Sequence, residues 1–524
     1  MALYFAGKTQ IQFGPYLTYS GTAANSGQMT IQLGVSPDDT QTYYVVYWNS
    51  TLYNYNTVSL GTSKIINTKS CEFYWLPGQK YKILSTTLTN LTPGTVYTYM
   101  VSQNGESFTN YAYTSKTSIT PADITATGGK PLVLLNSATL SGTFSGVSGE
   151  IKLITGISDA SLSNFTLPIG NTFAVSIMPV RKKYTFRVPN NADTTLSCFL
   201  ISDTQIQSST DSLNYYKHYT NITNALKNNA SFSNYTFMLH GGDFADYVGL
   251  SIKQIQKFPD LFGSIPVQMT EGNHDRGYNL YSTKSPVTSD SQINIPDTAY
   301  TKEMIWFDKL FHYDYPGLKT TVKTKAGTIT DYYSHNYSFD YGPAHISVLD
   351  YDNYDNYYSQ KDTGFVTKQL RWLIDDLDAT TKQWKVIMMH YDQNSGNNGN
   401  YYSINAFNYK SVQYTTTSHS PKVILYSIIS EKSVALVIDG HQHFPDRNAE
   451  IITSLENFGL RNFFHMRVPV DAANTLPLSM QYSYYILHFI GKEFYFDQFD
   501  KNNVLSSTSS HYILDQSKTI ILKP

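Results

Sequence analysis

The sequence predicts an α/β fold of stacked mixed sheets and helices, preceded by an all-β sandwich. Up to about residue 115, short β-branched and aromatic runs such as YYVVYW (43–48) predominate. From about residue 184, apolar strand-like runs alternate with stretches of helical periodicity. The chain has 524 residues, too many for one ordinary domain, so several units are expected.

Three segments surround the α/β unit. In residues 1–115, LTNLTPGTVYTYMVS (88–102) indicates a strand, a Pro-Gly turn and another strand, and it resembles part of a fibronectin type III-like sandwich. Residues 116–183 contain short apolar runs among Gly, Ser and Thr, which predicts a β-rich insert or a small β domain. Residues 501–524 are interpreted as a C-terminal tail.

The α/β unit, residues 184–500, contains alternating elements. One helix is clearly amphipathic, because Leu370, Leu373, Ile374 and Leu377 recur at i, i+3, i+4 and i+7. The predicted strands lie at 196–203, 235–243, 266–273, 344–350, 384–390 and 433–443, the helices at 211–228, 250–263 and 365–378, and a closing hairpin at 482–500. This alternation is typical of a layered sandwich.

Composition narrows the function classes. Charged residues make up 15% of the chain and the net charge is −2, without a Lys/Arg run, so the signature of a nucleic-acid binder is missing. The sequence contains no apolar run long enough for a membrane span. Cys71 and Cys198 are expected to be buried free thiols rather than a disulfide.

The polar composition, with 44 tyrosines, is typical of extracellular proteins, whereas the first residues do not match a signal peptide. A virion or cell-surface location is therefore favoured over the cytoplasm. Assembly into a virion or another large complex is expected as one context for such a chain.

Polar motifs follow five predicted strands. They are Asp203-Thr204-Gln205, Gly242-Asp243-Phe244-Ala245-Asp246, Gly272-Asn273-His274-Asp275, Met389-His390 and Gly440-His441-Gln442-His443. Sites in α/β sheets form just beyond the carboxyl ends of strands. Each Asp alone is more often a helix cap or a turn residue. Together, carboxylates, imidazoles and an amide oxygen form a ligand set for two metal ions, which can activate water and neutralise phosphoryl oxygens.

In this order, the motifs resemble the calcineurin-like metallophosphoesterase superfamily, including purple acid phosphatases, over about residues 185–500. The resemblance implies a four-layer sandwich and two divalent or trivalent ions, Fe, Zn or Mn. It implies that Asp243 bridges the two ions. It assigns Asp203, Gln205 and His443 to the first ion, and Asn273, His390 and His441 to the second.

The same resemblance assigns catalytic roles to the motif GNHD and the residue after it. His274 would protonate or stabilise the leaving oxygen, and Asp275 would orient His274. Arg276 would contact the phosphate oxygens. The expected reaction is hydrolysis of a phosphate ester, with monoesters or nucleotide-type substrates favoured, by attack of a metal-bound hydroxide.

Two positions depart from the family pattern. Gln205 stands where the family usually has a histidine, and a Gln oxygen is a weaker ligand than imidazole. Asp246 occupies the position of the purple acid phosphatase tyrosine, so no tyrosinate colour is expected. The alternative function is therefore a structural or adhesion component of a virion or surface assembly that reuses the fold with a weakened or inactive site.

Overall fold

The fold is taken from a computed structural model of the whole chain. It describes residues 11–19, 27–50, 55–67, 80–101, 111–114, 116–135, 138–144, 146–154, 172–178, 182–204, 217–228, 237–245, 248–272, 275, 310–311, 313, 319–324, 327–333, 335–350, 363–390, 407–409, 412–414, 421–440, 449–452, 463–467, 482–500, 504–515 and 520–523.

The N-terminal part is built from β-strands and one short helix. In chain order these are β1 Ile11–Thr18, β2 Met29–Val35, β3 Tyr44–Asn49, β4 Tyr55–Ser59, β5 Gly61–Asn67, β6 Lys80–Leu88, β7 Val96–Val101, β8 Ala112–Thr114, β9 Ser118–Ile119, α1 Pro121–Thr125, β10 Leu132–Leu134, β11 Thr139–Leu140, β12 Ser148–Ile154, β13 Thr172–Met178 and β14 Tyr184–Arg187.

These strands form a two-sheet sandwich and a separate small unit. The sandwich has sheet orders β1-β2-β6-β5 and β14-β7-β3-β4, and its two sheets share one apolar core. The small unit is a parallel sheet, β13-β12-β10-β8, beside a parallel pair, β11-β9. The described residues of the segment 116–183 thus form mainly β-strands.

Two predicted boundaries differ from the strand pairing. β14 was placed at the start of the α/β unit, yet it pairs antiparallel with β7 and completes a sheet of the sandwich. β8 was placed in the sandwich, yet it pairs with β10 of the small unit. Sequence periodicity identifies a strand but not its partner, and both strands lie at the ends of predicted segments.

The α/β unit follows β14. Its elements are β15 Thr195–Ile201, α2 Lys217–Asn228, β16 Met238–His240, α3 Val248–Lys257, α4 Pro259–Phe262, β17 Val267–Met269, β18 Lys319–Thr324, β19 Gly327–Tyr333, β20 Tyr337–Tyr341, β21 Ala344–Val348, α5 Thr363–Ala379, β22 Trp384–Met388, β23 Phe407–Tyr409, β24 Val412–Tyr414, α6 Pro421–Glu431, β25 Leu436–Asp439, β26 Ala449–Ile452, β27 Phe463–Arg467, β28 Tyr482–Ile490, β29 Glu493–Asp500, β30 Leu505–Thr508, β31 Tyr512–Leu514 and β32 Ile520–Leu522.

Two mixed sheets form the centre of the unit. One has the order β17-β16-β15-β28-β29-β31-β32, with β30 paired to β29, and the other has the order β20-β21-β22-β25-β27-β26. A single apolar core contains side chains from both sheets. A second core lies between the second sheet and helices α5 and α6, through Leu370, Ile387 and Ile428, among others. The predicted layered α/β fold is confirmed.

The C-terminal segment is part of a sheet. Residues 501–524 were interpreted as a tail, but β30 and β31 pair with β29, and β32 pairs with β31. Burial of Leu514 and Ile520 in the main core explains this pairing, because alternating apolar side chains stabilise added strands. The interpretation as a tail was wrong for the described residues.

The sandwich packs directly on the α/β unit. Phe13, Tyr16 and Tyr19 of the sandwich belong to the main α/β core. The Tyr16 hydroxyl donates to the Leu310 carbonyl at 2.6 Å, and the Tyr99 hydroxyl donates to the Gly263 carbonyl at 2.7 Å. Buried tyrosines can fill apolar space and still satisfy a backbone acceptor, which makes this interface both apolar and hydrogen-bonded.

Two further predictions concern the cysteines and the lack of a membrane span. Cys198 is a buried free thiol, as predicted, whereas Cys71 lies outside the described residues. Among the described helices, none combines the length and the apolar character that crossing a membrane requires.

A buried histidine links the edge of the second sheet to helix α5. Asp340 lies 2.7 Å from His345 Nδ1, and Asp376 lies 2.9 Å from its Nε2. Burial lowers the pKa of His345, but the two carboxylates overcome this and raise it to about 9. Lys382 also lies near Asp340. The imidazole is therefore a protonated bridge between two carboxylates.

We expect this bridge to make stability depend on alkaline pH. Because the pKa rises from 6.5 to about 9 on folding, the contribution is complete below about pH 6.5 and is lost as pH rises through about 9. Its size is roughly 3 kcal/mol in the free energy of unfolding. Denaturant unfolding between pH 6 and 10 should show this decrease, and His345→Gln should abolish it.

His488 provides the matched control. It also contacts a carboxylate, Asp497, but burial lowers its pKa, so it contributes no loss of stability on the alkaline side. His488→Gln should therefore keep the alkaline decrease. An unchanged decrease in His345→Gln would show that other groups cause it.

Candidate metal centre

Three motif residues converge at the strand ends of both sheets. Asp203 follows β15, Asp243 follows β16 and His390 follows β22. All three are about 1% exposed. One ligand atom from each lies within 4.8 Å of the others. The structure therefore brings these three of the predicted site residues together.

The backbone holds the two carboxylates in an uncommon conformation. Asp203 and Asp243 both have φ of 53°, a left-handed value that few non-glycine residues adopt. The Asp203 N–H donates to the Gly242 carbonyl at 2.9 Å, and the Gly241 N–H donates to the Ile201 carbonyl at 2.9 Å. These bonds join the two loops. Such strain persists where the surrounding structure over-determines it, and it clusters at functional sites.

His390 presents one defined ring nitrogen to the carboxylates. Its Nδ1 lies 2.8 Å from the Gly241 carbonyl, which can only accept, so Nδ1 carries the proton and donates. Its Nε2 lies 3.2 Å from Asp243 Oδ2. A ligating histidine typically donates its other N–H to such an acceptor, which fixes the ring orientation.

The electrostatics of this centre favour a cation. Burial alone would lower the pKa of His390, but Asp243, and more weakly Asp203, raise it to about 10. A buried imidazole that keeps its proton so strongly faces an excess of negative charge. Two carboxylates and an imidazole are also ligands that Fe, Zn and Mn accept. The residues present therefore fit a metal ion.

Asp275 connects two of the motif loops. Its Oδ1 accepts from the Ala245 N–H at 3.0 Å, and its Oδ2 accepts from the Gly272 N–H at 2.9 Å. Burial and the nearby Asp243 raise the pKa of Asp275 to about 8, against the effect of these two bonds. The predicted contact with His274 lies outside the described residues, so that role stays a prediction.

The motif glycines are required by close approach. A Cβ atom on Gly272 would overlap the backbone nitrogen and a side-chain oxygen of Asp243. On Gly242, which has φ of +96°, a Cβ would meet the ring of His390 at Nδ1. Any larger residue at these positions would displace a ligand.

A buried polar network behind the carboxylates was missed at the sequence level. His240 Nδ1 accepts from the Gly242 N–H at 3.2 Å, so its Nε2 carries the proton and donates to Thr204 Oγ1 at 2.9 Å. Thr204 Oγ1 also bonds the Tyr219 hydroxyl at 2.8 Å. The position of His240 two residues before Gly242 was the available signal in the sequence.

The remaining predicted site residues cannot be placed. They lie outside the described part of the chain and are Gln205, Asn273, His274, Arg276, His441 and His443. The same holds for Asp246. Their roles stay predictions. Gly272 and Gly440, which directly precede Asn273 and His441 in the sequence, do lie after the ends of β17 and β25.

Comparisons with known proteins agree with this centre. Residues 197–445 match the family model described as calcineurin-like phosphoesterase. A purple acid phosphatase isolated from yellow lupin (Lupinus luteus) seeds has a similar structure, with a TM-score of 0.52 and 13% identity, over 96% of this chain and 74% of that chain. At this identity the likeness shows the fold alone. No curated protein sequence matches the chain.

The fold, the matched segment and the converging ligands define a phosphoesterase with a metal centre. Residues 197–445 belong to the calcineurin-like phosphoesterases. The predicted resemblance and the enzyme class are thus confirmed.

We expect Asp275→Asn to weaken metal binding. The amide replaces one acceptor oxygen by a donor, so one of the two loop bonds is lost. Loss of such a supporting contact typically costs about 10–100-fold in metal affinity or activity. Metal affinity can be measured by competition with a chelator. Wild-type affinity in a folded Asp275→Asn protein would contradict the role.

We also expect Gly272→Ala to lower metal affinity by at least about 10-fold, because the methyl group must displace the Asp243 ligand. Gly128→Ala is the control, since a methyl there meets nothing within 4 Å although φ is +63°. It should cost some stability and leave metal affinity unchanged. Equal affinities for the two variants would refute the steric argument.

Proposed function

We propose that this protein is a binuclear metal-dependent phosphoesterase, with phosphate monoesters or nucleotide-type esters as the favoured substrates. The observation that carries the proposal is the convergence of Asp203, Asp243 and His390 Nε2 in one buried volume at the strand ends. It is supported by the family match and by the similar fold of a plant purple acid phosphatase.

Several residues would hold the two ions. Asp243 would bridge them, Asp203 would hold the first and His390 the second. Gln205 and His443 would complete the first set, and Asn273 and His441 the second. When bound, the ions would neutralise phosphoryl oxygens and lower the pKa of a bound water. Fe, Zn and Mn all suit this mixture of carboxylate, imidazole and amide ligands.

The chain's own groups prepare the site. The Gly241 carbonyl keeps a proton of His390 on Nδ1, so Nε2, which faces Asp243, is the nitrogen that would bind a metal ion. The His240–Thr204 bond holds the loop that contains Asp203. Burial of these groups excludes water, which would strengthen the interaction of the carboxylates with a bound cation.

Two predicted residues would act on the substrate directly. His274 would donate a proton to the leaving oxygen, and Arg276 would pair with a phosphate oxygen. Asp275 would help to position the GNHD motif, since its carboxylate accepts a hydrogen bond from the Gly272 N–H at the start of that motif.

The test is hydrolysis of a generic aryl phosphate together with elemental analysis of the protein. We expect at least two ions per chain and turnover in the wild type. Asp243→Asn should lose metal and lower turnover by more than the roughly 100-fold cost of a lost supporting contact, because it removes the bridging charge.

Asp378→Asn is the matched control. This carboxylate is exposed on α5 and pairs with Lys432, so its loss should leave both metal content and turnover unchanged. No bound metal and no turnover after addition of Mn or Zn would exclude the proposed enzyme.

A further inference from the structure

We propose that Glu271, His335 and Asp350 form an additional metal site, which takes one divalent cation of the zinc or manganese type. None of these residues belongs to the ligand set assigned above. The site lies beside the phosphoesterase centre, at the start of the loop that leads into Gly272 and Asn273.

The three side chains converge in a buried volume. Glu271 and His335 are about 3% exposed and Asp350 about 1%. One ligand atom from each lies within 4.8 Å of the others. His335 Nδ1 lies 2.5 Å from Glu271 Oε2, and the His335 backbone N–H donates to Asp350 Oδ2 at 3.1 Å. The backbone bond fixes one carboxylate against the residue that supplies the imidazole.

The position of this group repeats the phosphoesterase centre one strand further along each sheet. Asp243 and His390 follow β16 and β22, which belong to different sheets. β17 is the neighbour of β16, and β21 is the neighbour of β22. Glu271 and Asp350 each lie two residues after these neighbouring strands. Both pairs therefore bridge the two sheets at the same end of the sandwich.

A further bond brings the two strand ends of the new group together. The Thr270 hydroxyl donates to the Leu349 carbonyl at 2.8 Å, one residue before Glu271 and one before Asp350. This bond joins the two loops that supply Glu271 and Asp350.

A second histidine cluster of the same composition shows why convergence matters. His345 also contacts two carboxylates, but Asp340 and Asp376 bond opposite nitrogens of its ring. That arrangement satisfies both ring nitrogens and leaves no shared point for an ion. Among the described residues, only the Glu271 group and the Asp203–Asp243–His390 group have three converging ligand atoms.

The ligand types select the class of cation. Zinc binds imidazole nitrogen and carboxylate oxygen at about 2.0–2.2 Å, and manganese accepts the same donors. The two buried carboxylates of Glu271 and Asp350 can carry two negative charges, whereas a protonated His335 carries only one positive charge. A divalent ion would balance both carboxylates, and it would replace the proton between His335 and Glu271.

Asn336, the next residue along the chain, provides an independent indication. It is fully buried, and neither atom of its side-chain amide has a hydrogen-bond partner within the described part of the chain. Buried amides normally have partners, including ordered water or ions. An ion with its bound water at the neighbouring His335 would supply one.

An ion at this position would act structurally. It would join the loop after β17 to the loop after β21, directly before the GNHD motif. Its loss should therefore lower stability and loosen the motif, while the ligands of the phosphoesterase centre remain in the chain.

The test is zinc stoichiometry of the full-length protein after loading with a small excess of zinc and removal of free ions. We expect Asp350→Asn to bind one zinc ion fewer per chain than the wild type. Asp376→Asn, which removes a carboxylate of the His345 cluster, should bind as many as the wild type. Equal zinc content in Asp350→Asn and the wild type would overturn the proposal.

The two metal proposals can fail separately. Asp243→Asn should lose ions from the phosphoesterase centre but keep the one that Asp350→Asn loses. If Asp350→Asn does not fold, zinc-loaded crystals of the wild type decide the question. An anomalous scattering peak between Glu271, His335 and Asp350 supports the site, and no peak there at stoichiometric zinc refutes it.

Discussion

The rest of the structure depends on one constraint, which is the meeting of two buried carboxylates at the ends of adjacent parallel strands. Asp203 and Asp243 cannot approach each other without compensation, because each is cut off from water. The compensation comes from a backbone bond between their loops, from the imidazole of His390 and from glycines that leave room for the oxygens. Both sheets contribute to it, so the layered packing and the chemistry of the centre are inseparable.

The many tyrosines and few charges of this chain have a structural role around β17, which lies at the edge of its sheet among the described strands. Edge strands expose carbonyl groups that need partners. The Tyr313 hydroxyl donates to the Val267 carbonyl at 2.6 Å, and the Tyr337 hydroxyl donates to the Met269 carbonyl at 2.8 Å. These buried tyrosine hydroxyls satisfy the carbonyl groups of β17 without adding a charge. They do so just before the residues that lead into the metal centre. Tyr16 of the sandwich likewise satisfies a buried carbonyl, that of Leu310.

Sequence reasoning succeeded where the signal is local. Buried strands followed by Asp203, Asp243 and His390 could be recognised because sites in α/β folds form just beyond the carboxyl ends of strands. It failed where pairing is decided by distant residues, as for β14 and the C-terminal strands, since a strand pattern does not name its neighbour. It also missed the bond between Thr204 and His240, because a buried hydrogen bond between distant polar residues leaves no periodic pattern in the sequence. The virion or surface location rests on composition and remains a prediction.

The pairing of β15 with β28 has a consequence for how the chain is made. Thr195 lies opposite Ile490, so the central strands of the first sheet are separated by nearly the whole α/β unit. At about 5–20 residues per second, a ribosome needs roughly 15–60 s to synthesise that interval. The sandwich, whose last strand ends at Arg187, can close during this time, whereas β15 can pair with β16 but waits for β28. A nascent chain of this protein therefore presents a folded domain followed by an incomplete sheet, the kind of intermediate on which chaperones act.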